Sequence, residues 1–291
     1  MISLLRARGP AKLNLTLEVL GRRTDGYHEV RTVLQAIDLC DTLLFQADEH
    51  ISLFCQRTPL LTGDNTILTA ARLLRERSAS PAGAVIELEK HIPVAAGLGG
   101  GSSDGAATLR ALNGLWKTGL DRQTLQPLAE MLGSDAPFFL YGGTALGEGK
   151  GERITQLPSA ISGPIVLLVP PLTGRPEKTG QLYALLNTAD FTGGQFTQRL
   201  TEVLRKGQPI APSLLYNAFE RVALGFFPGL QEYRQRFLES GASQVHLAGS
   251  GPALFTLAGD ETQAARICQT LRRQRLTAYV VRPFVEEKDI H

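Results

Sequence analysis

The chain has 291 residues, 43% of them hydrophobic and 20% charged, with a formal net charge of +2. That composition suits one large or two moderate globular domains, and it excludes the strongly basic surface that nucleic acid or an anionic membrane would require. Cys40, Cys55 and Cys268 are far apart, without metal-ligand spacing, and read as thiols of a reducing compartment. The start carries charges among its apolar residues, unlike a signal peptide, and the apolar run at 165–169 is far too short to span a bilayer. The expectation is a cytoplasmic protein.

The first patterned stretch is 11–20, AKLNLTLEVL, where Leu13, Leu15, Leu17 and Val19 alternate with Lys12, Asn14, Thr16 and Glu18. Period-two alternation predicts a half-buried strand with Lys12 and Asn14 side by side on its polar face, turned either to solvent or to a ligand. The segment GRRTDGYH at 21–28 follows, with Asp25-Gly26 as a turn and strand-forming residues resuming over 30–37. Tyr27 and His28 fall just past that turn. A ring beside an imidazole suits a stacked, hydrogen-bonded nucleobase; it also suits an ordinary hairpin with a cross-strand aromatic. Two short strands are predicted at 42–47 and 51–55. Asp64 then caps a helix with an apolar face of Ile67, Leu68, Ala71 and Leu74, which leaves Asn65 open to a ligand contact.

The stretch PVAAGLGGGSSDGAA at 93–107 stands between a strand at 84–89 and a helical pattern through Trp116. Its glycines let the backbone come close to a ligand, and the helix behind offers unpaired amides and the positive end of its dipole. Such a loop suits a polyphosphate. A Gly/Ser turn capped by Ser102 or Ser103 is the plainer alternative, and the Gly-Lys-Ser/Thr ending of a Walker loop is absent. Asp121 caps a further helix to Leu132. In GSDAPFF at 133–139, Ser134 or Asp135 either caps a short helix, or Asp135 is a carboxylate at its entrance, available to accept a proton. Residues 142–153 read as a strand pair with a mobile connection.

Small residues and prolines at 158–163 mark a boundary, giving domains 1–160 and 161–291. A strand at 164–169 opens the second domain, followed by a helix from Pro176 to Leu186. An amphipathic stripe over 228–240 stops at Gly241. Strand, strand, helix and strand then alternate over 244–282, which predicts an α+β sandwich of ferredoxin-like kind. Gly249-Ser250-Gly251, between the first two strands, is either a tight turn or backbone that closes on a ligand's phosphates.

Three of these stretches taken together resemble the motifs of the GHMP kinase superfamily, whose members phosphorylate small-molecule alcohols with ATP: PAKLN at 10–14, PVAAGLGGGSS at 93–103 and LAGSGPAL at 247–254. GRRTDGYHEV, GLGGGSSDGAAT and LGSDAPFF narrow the resemblance to members that act on the 2-hydroxyl of a cytidine-diphosphate-linked methylerythritol, on a route to isoprenoids. The resemblance implies a two-domain α+β fold, with an N-terminal ATP-binding domain like ribosomal protein S5 domain 2, a C-terminal ferredoxin-like domain, and the substrates in the cleft between. By similarity, Asp135 is the base that accepts the hydroxyl proton, and Lys12 balances charge that builds as the phosphoryl group moves. Asn14 orients the substrate or Lys12, Tyr27 stacks on cytosine, and His28 bonds its edge. Pro93, Ala95, Ala96, Gly97, Leu98, Gly99, Gly100, Gly101, Ser102 and Ser103 surround ATP, with Asn65 near the nucleotide and Gly249, Ser250 and Gly251 closing over the cleft.

ATP chemistry implies Mg2+, for which no carboxylate pair declares itself; the phosphates and Ser103 are its expected holders. Related kinases stack a second aromatic on the base from the segment after the domain boundary, and PLTGRPEKT at 171–179 contains none. The implied partner is a small molecule bearing cytidine diphosphate, with no nucleic acid or membrane. A kinase for a mevalonate- or homoserine-type alcohol leaves the DGYH stretch unused. A non-catalytic sensor on the same fold is expected to have lost Lys12 or Asp135, and both are present.

Overall fold

A computed structural model describes residues 4–56, 65–159, 163–172 and 177–284. Strand β1 (Leu4–Arg22) leads through a turn to β2 (His28–Asp48) and β3 (Ile51–Cys55). Helix α1 (Thr66–Ser78), strand β4 (Gly83–Glu89) and helices α2 (Gly100–Leu115), α3 (Arg122–Leu132) and α4 (Ala136–Tyr141) follow, then the pair β5 (Thr144–Gly149) and β6 (Arg153–Leu157). Next come β7 (Ile165–Val169), α5 (Lys178–Ala184), α6 (Gln195–Arg205), β8 (Tyr216–Asn217), α7 (Glu220–Phe226) and α8 (Leu230–Glu239). The chain ends in β9 (His246–Leu247), β10 (Leu254–Leu257), α9 (Glu261–Arg273) and β11 (Thr277–Val281).

Two compact units divide these elements. The first holds residues 1–11, 39–93 and 99–141, and the second 12–38, 94–98 and 142–291. In the first unit β3 runs parallel to β4, with Ile51 opposite Ala84, and β4 runs antiparallel to the end of β2, with Thr42 opposite Glu89. The segment predicted as a separate strand at 42–47 is therefore the far half of the 21-residue β2. Helices α1, α2, α3 and α4 pack on one another, burying Ile67, Leu74, Leu109, Leu112, Leu125, Phe138 and Phe139. Asp121 caps α3 by accepting from the Thr124 amide at 2.8 Å, as its sequence position predicts. Trp116 donates its indole N–H to the Gly83 carbonyl at 3.0 Å, which ties the end of α2 to the start of β4.

In the second unit the start of β2 pairs antiparallel with β5, β5 with β6, and β1 parallel with β8. The connection at 150–152 is a hydrogen-bonded turn, in which Glu152 accepts from the Lys150 amide at 2.5 Å. A second sheet has the order β11-β7-β10-β9, antiparallel throughout. Numbered by chain order within this sheet, that is 4-1-3-2, the ferredoxin-like arrangement that the alternation over 244–282 predicts. Val166, Leu168, Leu247, Leu254, Ile267, Leu271, Phe219 and Phe237 form its core.

The polar face of β1 overturns the half-buried expectation. Lys12 and Asn14 are each 4% exposed, and Thr16 and Glu18 are at 0%. Helix α6 explains this for Thr16 and Glu18. Its N-cap, Gly194, offers no side chain, and the Glu18 carboxylate instead accepts from the Phe196 and Thr197 amides at 3.2 and 2.7 Å. Thr16 Oγ1 accepts from the Val33 amide at 3.0 Å and meets Thr197 Oγ1 at 2.9 Å. Both faces of β1 are thus covered, one by apolar contacts and the other by hydrogen bonds.

Candidate active site

The second unit brings Lys12, Asn14, the 94–98 segment and the 248–252 turn together. Lys12 Nζ donates to Asn14 Oδ1 at 2.7 Å, and Asn14 Nδ2 donates to Thr32 Oγ1 at 2.8 Å, so each side chain is fixed by its neighbour on the sheet. The Lys12 amide bonds to the Leu98 carbonyl at 2.9 Å, which fastens the end of the segment to β1. Ala253 N bonds to the Ala96 carbonyl at 3.2 Å. Gly97 has φ of +88°, and a Cβ there would stand 2.2 Å from the Ala248 carbonyl oxygen, so glycine is required twice over, by conformation and by space. Asn217 holds the turn from behind, its Nδ2 donating to the Leu247 and Gly249 carbonyls at 2.9 and 2.8 Å. Sequence reasoning missed Asn217, which lies in a two-residue strand without a motif.

The same unit carries the hairpin. Asp25 Oδ1 accepts from the Tyr27 amide at 3.1 Å, and Arg23 spans Asp25 and Glu29 with its guanidinium at 3.1 and 2.5 Å. Tyr27 is exposed, with Lys150 Nζ 4.6 Å from its ring centroid. His28 stacks on Tyr183 of α5, centroids 4.7 Å apart and planes at 16°, and its buried Nε2 has no hydrogen-bond partner. Burial, with the charge of Arg22 behind it, holds the imidazole below its ordinary pKa, so the ring is neutral at pH 7. An aromatic does therefore join this hairpin from beyond 171–179. Tyr183 lies four residues past Thr179, half-buried on a short helix, and the predicted helix start at Pro176 lies outside the described residues.

The first unit holds the other predicted residues. Gly99, at φ +72°, is the N-cap of α2, and Ser103 N already bonds to the Gly99 carbonyl at 2.9 Å. Gly100, Gly101, Ser102 and Ser103 are accordingly the first turn of a helix, where the sequence suggested loop. Thr66 Oγ1 donates to the Gly101 carbonyl at 2.8 Å, bringing the start of α1 against the start of α2. Asn65 is the cap of α1, accepting from the Ile67 amide at 2.8 Å; the predicted cap, Asp64, lies outside the described residues. A Cβ on Gly133 would be 3.5 Å from Ser102 Oγ, so the turn that ends in Asp135 borders the same helix start. Asp135 is half-buried, directly before α4, and Pro93 precedes the segment at 94–98.

Beneath that helix start, Lys90 pairs with Asp41 and with Asp104 Oδ2, the latter at 2.6 Å. Asp41 Oδ1 also accepts the His91 and Ile92 amides at 2.6 and 2.8 Å, while buried Asp104 Oδ1 and Ser103 Oγ have no partner. Among the described residues, no group of three His, Cys, Asp or Glu side chains could hold a metal ion.

Two family descriptions match the chain: GHMP kinases N terminal domain over residues 65–143, and GHMP kinases C terminal over residues 204–276. The 4-diphosphocytidyl-2-C-methyl-D-erythritol kinase of Dehalococcoides mccartyi is 42% identical over 281 residues, 97% of this chain and 98% of that protein. The chain belongs to the GHMP kinases. Within them it falls among the 4-diphosphocytidyl-2-C-methyl-D-erythritol kinases, the one from Pelotomaculum thermopropionicum being 41% identical over 96% of this chain and 98% of its own length. A crystal structure of 4-(cytidine 5'-diphospho)-2C-methyl-D-erythritol kinase superposes on this GHMP kinase with a TM-score of 0.80 at 36% identity, covering 95% of this chain and 98% of the other. GHMP kinases use ATP as phosphate donor. No described helix of this kinase is long and apolar enough to cross a membrane.

Proposed function

We propose that this kinase transfers the γ-phosphoryl group of ATP to the 2-hydroxyl of 4-diphosphocytidyl-2-C-methyl-D-erythritol, giving the 2-phosphate and ADP, in the cytoplasm. The observation that carries the choice of acceptor is the hairpin. Half-buried His28, its imidazole held below the ordinary pKa, keeps a buried, unpartnered Nε2 beside exposed Tyr27 and against Tyr183. A plain alcohol can offer the imidazole a hydroxyl, but it has no ring face for the neighbouring aromatic. A cytosine offers an edge for His28 and a face for Tyr27.

In the reaction, the 2-hydroxyl oxygen forms a bond to the γ-phosphorus as the bond to the ADP oxygen breaks, and the hydroxyl proton passes to the Asp135 carboxylate. Lys12, oriented by Asn14, offsets negative charge on the transferring group, and the amides at the start of α2 receive the phosphates. The division at residue 160 assigns ATP binding to the N-terminal portion. Ser103 Oγ is a buried oxygen with no protein partner, which fits a Mg2+ held mainly by the phosphates of ATP. That ion would neutralise charge on the phosphoryl oxygens when bound.

The test is ADP release over a panel of acceptors: the cytidine-bearing alcohol, mevalonate, homoserine, and water alone. Turnover is expected on the cytidine-bearing alcohol, and Asp135→Ala should cut it at least ~10²-fold with folding intact, the usual loss of a general base. Preference for a plain alcohol would replace this acceptor, turnover on none would favour a sensor, and an unimpaired Asp135→Ala would remove the proposed base.

A further inference from the structure

Lys178 is the first residue of α5, and it is 7% exposed although its neighbours Glu177 and Thr179 face solvent. Its ammonium donates to the Gly251 carbonyl and stands 6.0 Å from the Phe227 ring centroid. Among the described residues no carboxylate pairs with it. One of its three N–H donors is used, and two remain. Burial pushes its pKa down to about 8, and the charge of Lys12 acts in the same direction.

Lys12 reaches the same turn from β1, since a Cβ on Gly249 would lie 2.9 Å from its Nζ. Thr179 Oγ1 and Ser250 Oγ are 3.0 Å apart, which fastens the start of α5 to the middle of that turn. Two ammonium groups from separate elements thus converge on Gly249-Ser250-Gly251, which also packs on Gly97. The buried ammonium of Lys178 is disfavoured by desolvation and by the charge of Lys12 together. An anion beside Lys178 would relieve both. Backbone amides at a glycine turn add to the attraction for a tetrahedral oxyanion.

We propose that Lys178 is a second phosphate-binding lysine, acting with Lys12 on a phosphate or diphosphate group held at the Gly249–Gly251 turn. The proposal rests on Lys12 belonging to the active site, as argued above. Two sources share the required chemistry: the phosphates of ATP and the diphosphate of the acceptor.

Lys178→Met removes the charge and keeps the length, and Lys178→Arg keeps the charge. Loss of kcat/KM by at least ~10²-fold in the Met variant is expected, with recovery to within ~10-fold in the Arg variant. A rise in KM for ATP alone assigns the lysine to the donor phosphates, a rise for the acceptor alone assigns it to the diphosphate, and a fall in kcat alone assigns it to the transferring group. Inorganic pyrophosphate supplies a readout without turnover: it should raise the melting temperature of the wild type and of the Arg variant but not of the Met variant, with Lys178→Gln standing in if the Met variant does not fold. Equal shifts in all, or Met-variant kinetics within about threefold of wild type, overturn the proposal. Lys12→Met is measured in parallel. An inactive Lys12→Met beside an unimpaired Lys178→Met sinks this inference alone, whereas a fully active Lys12→Met sinks the active-site reading beneath it.

Discussion

Asp41 and Asp104 share the ammonium of Lys90 in a buried cluster under the start of α2. Asp41 accepts two backbone amides besides, whereas Asp104 Oδ1 has no partner, so Asp104 is the carboxyl that takes a proton. Burial pushes it up to about 8, against the pull of Lys90. The unfolded Asp104 ionises near its ordinary value of 3.8, so across the window between that value and 8 the folded state holds the extra proton. The stability Asp104 contributes is full below that window and is lost as pH rises through it, by up to ~1.4 kcal/mol per pH unit. Asp104→Asn keeps a neutral side chain at every pH. Urea unfolding should therefore show Asp104→Asn gaining on the wild type between pH 5 and pH 8; a difference that stays constant with pH would mean that Asp104 is ionised throughout.

At the scale of elements, β1 does more than its alternation suggests. Its apolar residues enter the core, and its polar residues form a buried ladder from Lys12 to Glu18 that ends on the amides of α6. Glu18→Ala strands the buried Thr197 amide and the part-buried Phe196 amide and should cost ~2 kcal/mol in urea unfolding, while Glu18→Gln keeps one acceptor oxygen and should cost distinctly less. Equal losses would show that packing, and not capping, is what Glu18 provides. The alternation of Leu13, Leu15, Leu17 and Val19 made the strand legible from sequence. The burial of the opposite face was not, because its partner α6 arrives about 180 residues later with nothing in the local pattern to announce it. The caps divide in the same way. Asp121 directly precedes the apolar stripe of Leu125, Leu128 and Leu132 and was readable, whereas Asp64 and Asn65 are adjacent capping residues between which only the backbone chooses. The need for positive φ at Gly97 and Gly99 was legible; where α2 begins was not, since Gly100 and Gly101 carry no helical signal of their own.

For the whole molecule, strand and helix alternation over 244–282 was enough to suggest a ferredoxin-like sandwich, whose 4-1-3-2 sheet also takes in β7 from 165–169, and the GHMP kinase assignment follows from three short motifs. What the motifs leave out is the company each one keeps. Tyr183 reaches His28 from a helix whose sequence has no motif, and Lys178 enters beside Lys12 from the first position of the same helix. Acceptor choice by a cytosine-reading hairpin is the central claim, and the most direct measurement compares kcat/KM for the cytidine-diphosphate acceptor with its uridine counterpart, in the wild type and in His28→Ala. A site that hydrogen-bonds one base edge should favour cytosine by at least ~10²-fold, and loss of the imidazole should narrow that gap. Equal use of the two acceptors by the wild type would contradict the account.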